Sequence, residues 1–198
     1  MKVKLGKTSL RINISFAAVI TLMLILDESG ICAVALLCCI IHEAGHIICL
    51  FFLGEQPASV ELSFYGIKLE RKEPSILTVA EELAVYIAGP AMNFVLSAAL
   101  FLFGAEQSGI KTAAVISLCI GAFNLIPCRP LDGGNVVFRI ISMFADNERA
   151  EKISFEISVV ILFPMAAAGI IMLLRSTNVT LIAVTAYLAA VCVSSRRK

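Results

Sequence analysis

The chain has 198 residues, of which 59% are hydrophobic and 16% charged, where an ordinary soluble domain carries roughly a quarter charged residues. A mean hydropathy of +0.93, concentrated in long apolar runs, excludes disorder and argues against a soluble core, because a chain this short cannot hide such runs from water. The net charge of +1, from 16 Lys and Arg against 15 Asp and Glu, gives no basic excess of the kind that marks a nucleic-acid partner.

Six apolar segments follow in chain order: Ile12 to Leu26, Ile31 to Leu53, Leu83 to Phe103, Thr112 to Ile126, Ile153 to Leu174 and Val179 to Val193. The first follows a basic start and superficially fits a signal peptide. No small-residue cleavage site leads from it into a soluble domain, so it is read as a membrane helix. The expectation is an all-α polytopic membrane protein with six transmembrane helices and one domain over residues 1–198. Its catalytic core would run from about 31 to 134, with the last two helices at about 153–193. The first, fourth and sixth segments fall short of the ~20 residues that span ~30 Å of hydrocarbon.

Basic residues test this layout. Fourteen of the 16 Lys and Arg lie at the two ends or in the connections after the second and fourth segments, and only Lys111 and Arg175 lie opposite. Basic residues accumulate on the cytoplasmic side, which places both termini in the cytoplasm of a multi-pass protein, expected in a bacterial cell membrane. Between the second and third segments, Val60 and Leu62 alternate with Ser59, Glu61 and Ser63, and Ile67 and Leu69 with Lys68 and Glu70. This pattern predicts a short cytoplasmic β-hairpin able to hold an extended peptide by strand addition. Gly134 to Phe144 reads as a short amphipathic surface helix.

The seven cysteines sit mostly inside apolar runs and are read as small hydrophobic residues with free thiols. The only two histidines lie in His42-Glu43-Ala44-Gly45-His46. Positions i and i+4 share a helix face, so both imidazoles can reach one ion, with a carboxylate beside them to act as general base on water. Two neutral imidazoles and an adjacent Glu are the arrangement of zinc metalloproteases. With the second helix starting near Ile31, His42 lies ~16 Å and His46 ~22 Å inward, so water must enter from the cytoplasmic side.

A catalytic zinc takes a third protein ligand. Asn124-Leu-Ile-Pro127-Cys-Arg-Pro130-Leu-Asp132-Gly133-Gly134 combines helix-stopping prolines with a following carboxylate, and Asp132 is the candidate. Ala44 and Gly45 are small enough to let that segment approach. Cys38, Cys39 and Cys128 are also near enough in sequence to be considered, but a further thiolate would close the water position, so they are read as spectators. Glu81 and Glu82 suit a helix N-terminus. Gly89-Pro90 predicts a kinked helix. Asn93 and Asn124 are amides in apolar helices, able to orient a substrate carbonyl or to tie helices together.

Together the two motifs, with Ala88-Gly89-Pro90-Ala91-Met92-Asn93 between them, resemble the site-2 protease family of intramembrane zinc metalloproteases. The resemblance covers about Ile31 to Gly134. It implies His42, His46 and Asp132 as Zn²⁺ ligands, Glu43 as general base, and a substrate that is a membrane-embedded or membrane-associated protein. A membrane regulatory protein is a candidate partner, alongside the lipid bilayer. The layout is most similar to the bacterial sporulation branch, which processes a pro-sigma factor, though without the CBS domain that often follows there and without the PDZ insertion of the stress-response branch. Two other classes compete: a membrane metal-binding or transport protein, and an inactive membrane scaffold.

Overall fold

The computed structural model describes residues 2–5, 8–12, 14–55, 59–63, 66–70, 77–104, 108–176 and 178–195. They form two compact units, Met1–Ala122 and Phe123–Lys198.

In the first unit, strands β1 (Lys2–Leu5) and β2 (Thr8–Ile12) precede helices α1 (Ile14–Leu26) and α2 (Ile31–Phe52). Strands β3 (Ser59–Ser63) and β4 (Gly66–Glu70) lead to α3 (Val79–Phe103) and α4 (Ser108–Asn124), whose last two residues already belong to the second unit. The strands make one four-stranded sheet in the order β1-β2-β3-β4. β1 pairs antiparallel with β2, β2 runs parallel to β3 with Ser9 opposite Ser59, and β3 pairs antiparallel with β4 with Ser63 opposite Gly66.

The second unit contains α5 (Asp132–Ile141), α6 (Asn147–Ser176) and α7 (Thr180–Ser195). Its core is Cys128, Leu131, Leu162 and Leu188, with Phe123, Ile126, Met165 and Tyr187 packed against them. Gly169 lets α6 and α7 close up, since a β-carbon there would stand 3.0 Å from the Ile182 backbone.

These elements correct the expected all-α, six-span fold in two respects. The described residues include a sheet that recruits the N-terminal segment, so the chain is not all-α and the segment after α2 is not a solitary hairpin; β3 has a neighbour on each side. Of seven described helices, three are long and apolar enough to cross a membrane: α2, α3 and α6, at 22, 25 and 30 residues. The other apolar helices α1, α4 and α7 have 13, 17 and 16 residues, short of the ~20 needed at 1.5 Å per residue. The amphipathic segment forms α5, starting two residues earlier than expected.

Local chemistry fixes the helix ends that matter for the site. Before α2, the Asp27 carboxylate accepts from the backbone N–H of Cys32 at 2.6 Å and of Ser29 at 3.1 Å. This supplies an acceptor for N–H groups without intrahelical partners where Gly30, at φ +74°, has no side chain to offer. At the other end Gly54 is also left-handed, and Glu55 N–H returns to Leu50 O at 3.0 Å. α3 opens with a capping box: Thr78 Oγ1 accepts from Glu81 N–H at 3.3 Å, and the Glu81 carboxylate accepts from Thr78 N–H at 2.7 Å. The helix therefore begins at Val79, four residues before the expected start. Glu81 and Glu82 both lie in its first turn.

The distribution of side chains is that of a membrane protein. Phe52, Phe103 and Phe163 are more than 75% exposed, whereas Asn93, Ser117 and Ser158 are fully buried. A water-soluble chain could not show that much apolar surface, while small and polar residues between helices are what packing in lipid favours.

Candidate metal centre

Three helices of the first unit build the site. Gly45 brings α2 against α3, with a β-carbon position only 2.6 Å from the Ala88 carbonyl. The smallness of Gly45 thus serves the α2–α3 approach. On the other side of α3, Ser97 Oγ donates to Ala114 O at 2.8 Å and Ser117 Oγ donates to Asn93 O at 2.9 Å, joining α3 to α4. Cys38 Sγ donates to Ala113 O at 3.9 Å, which turns that thiol toward α4. Cys39 is exposed, and Cys128 is buried in the core of the second unit.

His42 and His46 are buried, at 4% and 5% exposure. Their rings meet edge to face, 4.9 Å between centroids, and their Nε2 atoms stand 3.2 Å apart. His46 Nδ1 donates to the Val85 carbonyl at 2.7 Å, which leaves Nε2 of the neutral ring as a lone pair. Asn93 Nδ2 lies 3.4 Å from His42 Nδ1. Glu43 occupies the turn between the histidines and is half-buried.

Gly89 closes this pocket by what it lacks. A β-carbon at that position would overlap Nε2 and Cε1 of His46 and would stand 2.8 Å from His42 Nε2. α3 continues as helix through Pro90, so the importance of Gly89 lies in the space it leaves beside the imidazoles. Two tetrahedral ligands at about 2.0–2.1 Å from one ion are separated by roughly 3.3 Å, close to the spacing here. The residues present fit a divalent cation.

Sequence reasoning missed two contributors. The Val85 carbonyl is a backbone group and carries no residue-type signal. Thr78 was visible, since Thr78-Val79-Ala80-Glu81 is a capping-box pattern.

Asn124 and Asp132 belong to the second unit. Asn124, half-buried, is the last residue of α4. The following turn is tied by Cys128 N–H to Ile126 O at 2.7 Å and Leu131 N–H to Cys128 O at 2.8 Å. Asp132, half-buried, is the first residue of α5, a position that favours a carboxylate because the helix dipole presents its positive end there. Gly133 and Gly134 let α5 begin against that turn: a β-carbon on Gly133 would stand 2.7 Å from Ile126 O and one on Gly134 2.5 Å from Arg129 N. Arg129 braces the turn, its Nη1 donating to Asn135 Oδ1 at 2.8 Å, its guanidinium 4.3 Å over the Phe138 ring, and its N–H donating to Ser158 Oγ at 3.0 Å.

Residues 107–165 match the profile of Peptidase family M50. The matched segment contains Asn124 and Asp132, and the paired histidines precede it. The chain is 30% identical over 127 residues to stage IV sporulation protein FB of Bacillus subtilis, covering 62% of this chain and 44% of that protein. It is 28% identical over 150 residues to a zinc metalloprotease of Methanocaldococcus jannaschii, covering 69% and 43%. The chain therefore spans less than half the length of these relatives. Its fold is shared with the solved site-2 protease from Methanocaldococcus jannaschii, at a TM-score of 0.70 and 24% identity over 95% of this chain and 91% of that one.

Proposed function

We propose that this protein is an intramembrane zinc-dependent endopeptidase of the site-2 protease family that hydrolyses a peptide bond in a membrane-embedded or membrane-associated protein, in regulated proteolysis. The observation that carries the reading is the pair of buried imidazoles with Nε2 atoms 3.2 Å apart beside a residue with no β-carbon. The zinc metalloproteases among its relatives support the same reading.

His42, His46 and Asp132 would hold the zinc. When bound, zinc supplies a Lewis acid that polarises a carbonyl and lowers the pKa of water towards 7. Glu43 takes a proton from the attacking water and delivers it to the departing amide nitrogen, which a half-buried carboxylate one residue from a ligand is placed to do. The Val85 carbonyl holds the His46 ring in the tautomer a ligand needs. Asn93 and Asn124 supply amide donors to the substrate carbonyl. A helical substrate must unwind locally, because its carbonyls are otherwise engaged in i to i+4 hydrogen bonds.

The placement of Lys and Arg supports a multi-pass protein of a bacterial cell membrane with both termini in the cytoplasm. Reporter fusions at each end should both be active only as cytoplasmic reporters.

Glu43→Gln tests the activity. The variant should keep stoichiometric zinc and allow an uncut membrane protein to accumulate, and active wild-type protein should cleave that protein in detergent. Continued cleavage by Glu43→Gln would overturn the role of Glu43. Undiminished metal flux across vesicles with no uncut protein would favour a transporter, and retained partner binding without turnover in wild type would favour a scaffold.

A further inference from the structure

The turn before Asp132 sends one backbone donor out to α6. Six residues run from Ile126 to Leu131, and Pro127 and Pro130 carry no N–H, so four donors remain. Three close locally: Ile126 N–H onto Phe123 O at 3.1 Å, Cys128 N–H onto Ile126 O at 2.7 Å and Leu131 N–H onto Cys128 O at 2.8 Å. The fourth, on Arg129, leaves the turn and donates to Ser158 Oγ at 3.0 Å. Ser158 gives its own hydroxyl proton to Ser154 O at 2.8 Å, which keeps an oxygen lone pair for the Arg129 amide.

Apolar contact holds the same turn but does not aim it. Cys128 and Leu131 are buried against Leu162 and Leu188, and burial of this kind is non-directional. A hydrogen bond is directional, and a buried amide left without one is costly. Ser158 therefore sets where along α6 the turn rests. Asp132 follows Arg129 by three residues with little slack between them, because a β-carbon on Gly133 would already stand 2.7 Å from Ile126 O and one on Gly134 2.5 Å from Arg129 N.

We propose that Ser158 is a positioning residue for Asp132: from α6 its hydroxyl fixes the turn that carries the carboxylate to the ion. This role rests on the reading of Asp132 as the third ligand and is independent of cleavage. Ser154 supplies a matched control. It lies one helical turn away on the same face of α6, it is 1% exposed where Ser158 is wholly buried, and its Oγ has no hydrogen-bond partner among the described residues. Alanine suits a helix interior at least as well as serine. The two Ser→Ala variants thus remove the same atom from equally buried places and differ in whether the turn loses its acceptor.

The test is the zinc affinity of the full chain in detergent, measured by chelator competition. Ser158→Ala should bind zinc about 10-fold more weakly, the lower end of what residues behind a ligand contribute, and Ser154→Ala should match wild type. Introduced into Asp132→Ala, Ser158→Ala should cause no further loss, because it acts only through the carboxylate. A merely structural serine would weaken zinc binding by the same factor in both backgrounds; that outcome, or wild-type affinity in folded Ser158→Ala, would overturn the proposal. Wild-type affinity in Asp132→Ala would instead remove Asp132 from the ligand set, and the role of Ser158 with it. In the unmodified protein the Arg129 amide should be protected from hydrogen exchange. Exchange there at the rate of an unstructured amide would overturn the proposal even where Ser158→Ala does not fold. None of these readouts involves cleavage; a protein that passes them and cuts no substrate would overturn the protease reading alone.

Discussion

Gly89 faces His42 so closely that a β-carbon on it would stand 2.8 Å from Nε2. Alanine suits a helix better than glycine, so Gly89→Ala should preserve α3 while filling the space beside both imidazoles. The expected result is near-wild-type helix content, substoichiometric zinc and cleavage reduced by about a hundredfold or more, the scale on which small misplacements act in an active site. Metal analysis beside circular dichroism checks this; full zinc occupancy with normal turnover would contradict it.

Gly45 and Gly109 form a matched pair for stability. At Gly45 a new methyl would meet the Ala88 carbonyl at 2.6 Å, a backbone atom that cannot swing away, whereas nothing lies within 4 Å of the corresponding position at Gly109. Gly45→Ala should cost about 1–3 kcal/mol through overpacking. Gly109→Ala, in the first turn of α4, should be neutral or stabilising by up to about 1 kcal/mol. Thermal unfolding in one detergent compares the two.

The start of α2 should respond to acid through Asp27. The Ser29 hydroxyl holds its carboxyl below the usual 3.8 against the opposing effect of desolvation, and the backbone N–H groups of Cys32 and Ser29 add smaller contributions in the same direction as the hydroxyl. A carboxylate whose folded pKa is depressed stabilises the fold at pH values above its unfolded pKa, and that contribution disappears as pH falls through the folded value. The cap should therefore hold from neutral pH down to about pH 4 and fail below it. The protection of the Cys32 amide, its exchange rate relative to an unstructured amide at the same pH, should fall in that acid range, and Asp27→Ala should leave that amide unprotected at every pH.

Arg129 should tolerate no simple exchange of cations. Lysine keeps the charge but loses the planar group that lies over Phe138 while bonding Asn135. Arg129→Lys should cost about 1 kcal/mol and loosen the turn before Asp132, read as faster proteolysis between α4 and α5 with α6 and α7 still protected.

The site motif was legible because its chemistry is local: His42, Glu43 and His46 lie within five residues, and helix periodicity alone puts the two imidazoles on one face. The capping box at Thr78 and Glu81 was equally local and went unread, which placed the start of α3 four residues late. The N-terminal strands failed for a different reason. Lys2-Val3-Lys4-Leu5 alternates as a strand does, but two short strands are stable only with partners, and β2 finds its parallel neighbour in β3 some fifty residues away. The basic character of the segment was read instead as the flank of a membrane helix. Six apolar segments likewise became three helices of spanning length, because hydropathy marks where a chain is apolar and not how far one helix continues.

By itself the sequence determined that this chain belongs in lipid and that one helix carries two imidazoles and a carboxylate at ligand spacing, since composition and the 3.6-residue repeat act over short distances. Only the tertiary structure decided that Gly89 makes room for those imidazoles, that Val85 sets the tautomer of His46, and that Asn93 reaches His42 from another helix. Each of these depends on how closely two backbones approach, a distance set by the packing of α2, α3 and α4 together and by no one of them alone.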